Sequence, residues 1–108
     1  MTGFVYHPDY LEHDTGYAHP ENESRLTAIV SHLEATGLSP LLIPIDAHPA
    51  EREWVERVHA REHVERVRAL CEQAPFRLDL DTPVCRRSFD IALLAAGGVL
   101  AACDAVMD

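Results

Sequence analysis

The chain contains no Lys. All nine basic residues are Arg, set against eighteen Asp and Glu, and the formal charge is -9 with His neutral. So acidic a chain repels phosphate backbones, which argues against nucleic-acid binding through a broad basic face. Cysteine is scarce as well: Cys71, Cys85 and Cys103 are an odd number with no C-x-x-C pair. That usage is expected of reduced thiols in a cytoplasmic protein, not of a disulfide framework. No uninterrupted apolar run approaches the roughly 20 residues of a membrane span, and Met1 opens no basic-then-apolar leader, so no membrane partner is expected. A glycine-rich phosphate loop and a G-x-S-x-G elbow are both missing, and Gly97-Gly98 lies inside an apolar helical pattern instead. What is present is 108 residues, 47% hydrophobic and 25% charged, in the proportions of one globular domain or part of one.

Residues 2–6 are rich in β-formers and predict a first strand that ends at the His7-Pro8 step. Residues 10–20 mix polar, aromatic and Gly positions and read as a loop. From about Asn22, Leu26, Ile29, Val30 and Leu33 recur at helical spacing, with Asn22 or Ser24 able to accept first-turn N–H groups and Gly37 suited to the C-terminal cap. The run Leu41-Leu42-Ile43-Pro44-Ile45 predicts a short strand whose far end Pro44 demotes to an edge. Helices are predicted over about 50–58, with Trp54, Val55 and Val58 on one face, and over about 61–73. Residues 76–87 read as a loop. A last helix is predicted from near Ser88, with a stripe of Phe89, Leu93, Ala96, Leu100 and Cys103, and with Ala95-Ala96-Gly97-Gly98 offering a flat surface for close packing. Strand–helix–strand order points to an α/β sheet, yet two strands rarely hold a sheet alone, and the last helix is still periodic at Val106. The expectation is a domain cut short.

All seven His lie between His7 and His63. His59-Ala60-Arg61-Glu62-His63 matches the H-x-x-E-H spacing of zinc peptidases, but such a site needs another acidic ligand from a distant helix, and a solvated helix boundary accounts for the residues as well. His7, His13 and His19 recur every six residues in a loop, a spacing with no fixed ligand geometry, and read as surface or hydrogen-bonding side chains. Asp79 and Asp81 alternate along a segment read as extended, which would aim them to opposite sides.

Taken in order, these elements resemble the N-terminal part of the histone deacetylase superfamily, which includes acetoin-utilisation proteins and acetylpolyamine amidohydrolases. The resemblance rests on Thr2-Gly3-Phe4-Val5-Tyr6, His13, His19-Pro20-Glu21 with Arg25, the segment Leu33 to Leu38, Val58-His59 with Val64, Asp79-Leu80-Asp81-Thr82, and Ala95-Ala96-Gly97-Gly98 with Ala101 and Asp104. It departs at Ala60, where a capping Ser is common, and at His63, where an aromatic residue is common. The resemblance implies an α/β fold, the N-terminal part of an arginase/deacetylase-like three-layer α/β/α architecture with a mainly parallel sheet. It also implies Zn2+ in the complete protein, which polarises an acyl carbonyl and activates water to cleave an acetyl amide. The zinc ligands and the assisting His pair belong to segments after the Ala-Ala-Gly-Gly helix, so no metal ligand and no catalytic residue is assigned here. No zinc is expected on residues 1–108 alone. Asp81 matches a rim position that holds the substrate backbone, and Arg25 matches an Arg lining an internal cavity; a loop carboxylate and a helix-surface Arg paired with Glu21 are the plainer readings.

Two functions follow as expectations. One is a fragment, itself inactive, of a zinc-dependent deacylase acting on acetylated lysine or a small acetylated amine such as a polyamine. The other is a non-catalytic truncated paralogue serving as an interaction or orphan module. The substrate and any homo-oligomer are left open.

Overall fold

The computed structural model describes all of residues 1–108. Strand β1 (Thr2–Val5) leads through a 3-10 turn (Pro8–Glu12) and a loop into α1 (Ser24–Ala35). A short turn at Ser39–Leu41 then enters β2 (Leu42–Ile45), followed by α2 (Arg52–Val55), α3 (Arg61–Glu72), β3 (Phe76–Arg77), β4 (Pro83–Val84) and α4 (Ser88–Met107). Strands β1 and β2 are parallel, from Thr2 opposite Leu42 to Val5 opposite Ile45. A parallel pair requires a crossover, and α1 supplies it. Pro44 sits inside β2 opposite Phe4; it has no N–H to give, which suits a strand with a neighbour on one side only.

Local chemistry accounts for most boundaries. Asn22 Oδ1 accepts the N–H of Ser24 at 2.9 Å and so closes the start of α1. Gly37, at φ +76°, follows its last turn, as the sequence predicts. The N-cap of α3 is Ala60, which offers no capping side chain.

Four expectations are corrected. Residues 76–87 are not simply a loop: β3 and β4 form a two-residue antiparallel hairpin, Phe76 opposite Val84 and Arg77 opposite Pro83. Regular helix over 50–58 shrinks to Arg52–Val55, because Trp54 (45% exposed) and Val58 (82% exposed) have little to pack against, and so short a helix without burial does not propagate. The fully buried stripe of α4 is Ser88, Ile91, Leu94, Gly97 and Gly98; Phe89, Leu93, Ala96 and Leu100 are only half-buried, and Cys103 is exposed. Finally, α4 is twenty residues long and apolar enough to cross a membrane by length and composition. A count of uninterrupted apolar residues stops at Asp90 and Asp104, whereas the helix runs through both.

Packing of α4 on the sheet depends on its two glycines. A Cβ on Gly97 would collide with the carbonyl group of His48, and one on Gly98 would lie 2.8 Å from Tyr10 Oη and 2.9 Å from Val5 Cγ1. With no side chains there, neighbours reach the helix backbone: Ala50 N–H donates to the Leu93 carbonyl at 2.8 Å, and Tyr10 Oη–H to the Leu94 carbonyl at 3.2 Å. The flat Ala-Ala-Gly-Gly surface is therefore used as the sequence suggests. Elsewhere the molecule is a slab of 41 × 35 × 17 Å with 11 residues buried. Its radius of gyration is 15.4 Å, against about 13 Å for a compact domain of this length.

Candidate functional site

The loop between β1 and α1 meets the segment between β3 and α4, and several polar side chains bond one another where they touch. Asp79 builds the first part. Its Oδ1 accepts the N–H of Asp81 at 2.9 Å and the hydroxyl of Thr82 at 2.8 Å, while Leu78 N–H donates to the Thr82 carbonyl at 2.9 Å. The Thr82 hydroxyl first, and the Asp81 N–H next, hold the Asp79 carboxyl below its ordinary value. Residues 79–82 are thus a turn and not an extended run. Asp79 and Asp81 do not face opposite sides of a strand; Asp79 shapes the turn from which Asp81 projects.

Asp81 is 89% exposed at its side chain, and its Oδ1 accepts from His19 Nε2 at 3.2 Å. The Glu21 N–H donates to His19 Nδ1 at 3.0 Å, so the ring proton sits on Nε2, facing Asp81. The His-Pro-Glu element and the Asp-Thr element, sixty-two residues apart, are thereby one feature. Arg25 lies on the first turns of α1 and pairs with Glu21, the plainer of its two readings. The same side chain also borders an open groove of about 470 Å³ between α1 and α4, walled by Val5, Tyr10, Leu26, Ile91 and Val99. Burial raises the Tyr10 phenol above its ordinary value, which keeps it a hydrogen-bond donor to α4.

Sequence reasoning missed a second network. His13 Nδ1 lies 2.7 Å from Ser88 Oγ, which accepts the Cys85 N–H at 2.8 Å and lies 3.3 Å from Cys85 Sγ. Arg87 reaches back to Asp9 and Glu12, each at 3.2 Å. These partners are about seventy-five residues apart, and no local pattern announces them. The reading of His7, His13 and His19 as hydrogen-bonding side chains agrees with their contacts.

Metal-ligating residues are dispersed. His59 and His63 have ring centroids 5.2 Å apart, but His59 precedes α3, so they do not share a helix face as H-x-x-E-H requires. Asp46-Ala47-His48, an Asp-x-His triplet, follows β2 with both outer residues exposed. No three His, Cys, Asp or Glu side chains come close enough to hold a metal ion. The chain's own residues therefore do not make a zinc site.

The model of the histone deacetylase domain matches residues 19–108. A protein named "Probable deacetylase" from Archaeoglobus fulgidus is 34% identical over the whole chain, which corresponds to 30% of that protein. The histone deacetylase-like amidohydrolase of Pseudomonas aeruginosa is 38% identical over 82% of the chain and 22% of that protein. Among solved structures, the HDA15 HD domain superposes with a TM-score of 0.82 at 30% identity, over 90% of this chain and 29% of that one. The chain thus spans about a third or less of the relatives it matches. With the family model matching residues 19–108 and the α/β fold superposing on a histone deacetylase domain, the chain belongs to the histone deacetylase family.

Proposed function

We propose that residues 1–108 are the N-terminal portion of a zinc-dependent deacylase that hydrolyses acetyl-amide bonds of acetylated lysine or polyamine substrates, and that this portion alone is inactive. Family membership over residues 19–108 is the observation that carries the reading. Within that reading Asp81 binds substrate: an exposed carboxylate, braced by His19 and by the Asp79 turn, can accept N–H bonds from an extended peptide across a pocket mouth. Arg25 lines the groove between α1 and α4, which serves as the internal cavity. Net charge of -9 favours cationic amine substrates over nucleic acid, in keeping with a cytoplasmic small-molecule or protein deacylase.

Asp81→Ala in the complete protein carrying this chain is the test. Charge-assisted bonds are worth about 1.5–3 kcal/mol, so kcat/KM for an acetylated peptide should fall roughly ten- to a hundredfold. A simple acetylated amine, with no backbone amides to offer, should be hardly affected. Peptide deacylation within about twofold of the parent would remove Asp81 from the substrate rim.

A further inference from the structure

The His-Pro-Glu element stands between β1 and α1 as a device for holding one imidazole ring. Pro20 disfavours helical backbone at the residue before it, so His19 stays outside α1. The His19 carbonyl accepts from Asn22 Nδ2 at 2.7 Å, and the other end of that amide closes the start of α1. On the ring, the Glu21 N–H at 3.0 Å takes the lone pair of Nδ1. The Glu21 carbonyl, 3.3 Å from the same nitrogen, already accepts the Thr15 hydroxyl. Pro20, lying between, has no N–H to compete for Nδ1. The neutral ring is left with its proton on Nε2 and with 15% of the side chain exposed.

That proton meets two acceptors, and both belong to Asp81: Oδ1 at 3.2 Å and the main-chain carbonyl at 3.3 Å. One N–H shared between the carboxylate and the carbonyl of a single residue selects one side-chain rotamer out of the staggered set. The neighbouring charges are engaged elsewhere. Glu21 pairs with Arg25, and the Asp79 carboxylate holds the Thr82 hydroxyl and the Asp81 N–H. His19 is thus the one donor that the chain gives the Asp81 carboxylate, while Oδ2 takes no bond within the chain on a side chain 89% exposed.

We propose that His19 is a positioning residue that sets the preference for peptide over simple amine substrates: its Nε2–H clamps Oδ1 of Asp81 and leaves Oδ2 presented to the N–H groups of an extended backbone. The proposal rests on the reading of Asp81 as the rim carboxylate and adds what makes that carboxylate selective. A freely turning Asp loses its rotamer freedom when a substrate binds, and that loss opposes binding. Here His19 has removed the freedom beforehand. Only a substrate that donates to Asp81 gains from this. Two substitutions separate the two ring nitrogens. His19→Asn puts a carbonyl oxygen near the place of Nδ1, keeping an acceptor for the Glu21 N–H, and is too short to reach Asp81. His19→Gln puts an amide N–H near the place of Nε2 and gives up the bond to Glu21.

Both variants are made in the complete protein carrying this chain, and kcat and KM are measured for an acetyl-lysine peptide and for an acetylated monoamine. His19→Asn should lower the peptide-to-amine ratio of kcat/KM by roughly three- to tenfold, with the loss in the peptide KM and not in kcat. His19→Gln should bring the ratio back to within about twofold of the parent. Added to Asp81→Ala, His19→Asn should cost nothing further, since the group it positions is gone. Nitrogen-15 labelled His gives a reading that depends on no His19 variant: the His19 ring should show its proton on Nε2, and Asp81→Ala should move that resonance. If Asp81→Ala lowers the ratio and His19→Asn does not, Asp81 binds substrate unaided and the proposal falls while the rim reading stands. If Asp81→Ala itself leaves the ratio unchanged, the rim reading falls and takes the proposal with it. Equal losses on both substrates, or a ring proton on Nδ1, would make His19 a structural brace only.

Discussion

The two halves of α4 have the same kind of sequence and opposite surroundings. From Ser88 to Gly98 the helix buries five residues, receives donors from Ala50 and Tyr10 on its carbonyls, and is tied at its start to His13 through Ser88. From Val99 onward it is as apolar, yet Val99 is 65% exposed, Val106 84% and Met107 83%. Helical periodicity fixes which residues share a face and says nothing about whether a partner covers it. The partners of the first half come from β1, β2 and the loops, and they are selected by the absence of side chains at Gly97 and Gly98. The second half meets no equivalent surface within residues 1–108.

The largest effect should come from asking whether the first half suffices. With 11 of 108 residues buried, the isolated polypeptide has too little apolar burial to offset a backbone ordering cost of about 1–2 kcal/mol per residue. Residues 1–108 on their own should bind a hydrophobic dye, keep helical circular dichroism and lack a sharp thermal transition. A cooperative melt from a purified monomer would mean that the first half of α4 and the two-stranded sheet make a sufficient core, and would favour an autonomous module.

Next comes Gly97→Ala in the protein carrying this chain. The added methyl meets the His48 carbonyl, which is backbone and yields little, so a loss of about 3 kcal/mol is expected from overpacking. Denaturant unfolding measures it. A loss under about 1 kcal/mol would show that the segment from His48 to Ala50 floats on α4, and the contrast between the halves would weaken.

Val99→Thr addresses the second half. Val99 borders both the groove beside Arg25 and the surface next to Trp54, Val58 and Leu100. If a longer protein covers that face, as the proposed function requires, an isosteric hydroxyl there should cost about 1–2 kcal/mol. A change within about 0.5 kcal/mol would leave the face in solvent in the longer protein too.

Legibility in the sequence followed the same division. Local signals were sufficient for β1, β2, α1, α3 and the start of α4, because Asn22, Gly37 and the spacing of apolar residues act within a turn or two. The hairpin β3–β4 escaped because two-residue strands carry no periodicity, and its turn is shaped by the Asp79 side chain. The fully buried face of α4 was misread because an almost wholly apolar helix has no polar side to orient it. Only the positions that cannot bear a Cβ mark the packed face, and Gly97-Gly98 did so. In the site, Arg25 beside Glu21 was legible from their spacing of four. The bonds His19–Asp81 and His13–Ser88 join distant segments, and only the family resemblance brought the first pair of elements into one list.

The smallest effect concerns the turn that leads from the hairpin toward α4. Asp79 has its carboxyl held below the ordinary value of 3.8, first by the Thr82 hydroxyl and then by the Asp81 N–H. A carboxyl lowered on folding contributes stability that is fully present above its ordinary value and is lost as the pH falls through the lowered one. The turn should therefore persist at pH 4 and loosen below it, releasing Asp81 from its fixed position opposite His19. Carbon-labelled Asp in the protein carrying this chain would report the Asp79 titration, and the Asp81 amide shift should follow the same curve with a midpoint under 3.8. Asp79→Asn keeps an acceptor for both donors, so it should hold the turn and remove the pH dependence. Asp79→Ala should loosen the turn at every pH, and should lower peptide deacylation by a few-fold, less than Asp81→Ala, since it removes the brace and leaves the binding carboxylate in place. An Asp79 midpoint at or above 3.8 would show that the turn stands without its carboxylate, and the order of effects for the two aspartates would then have no structural basis.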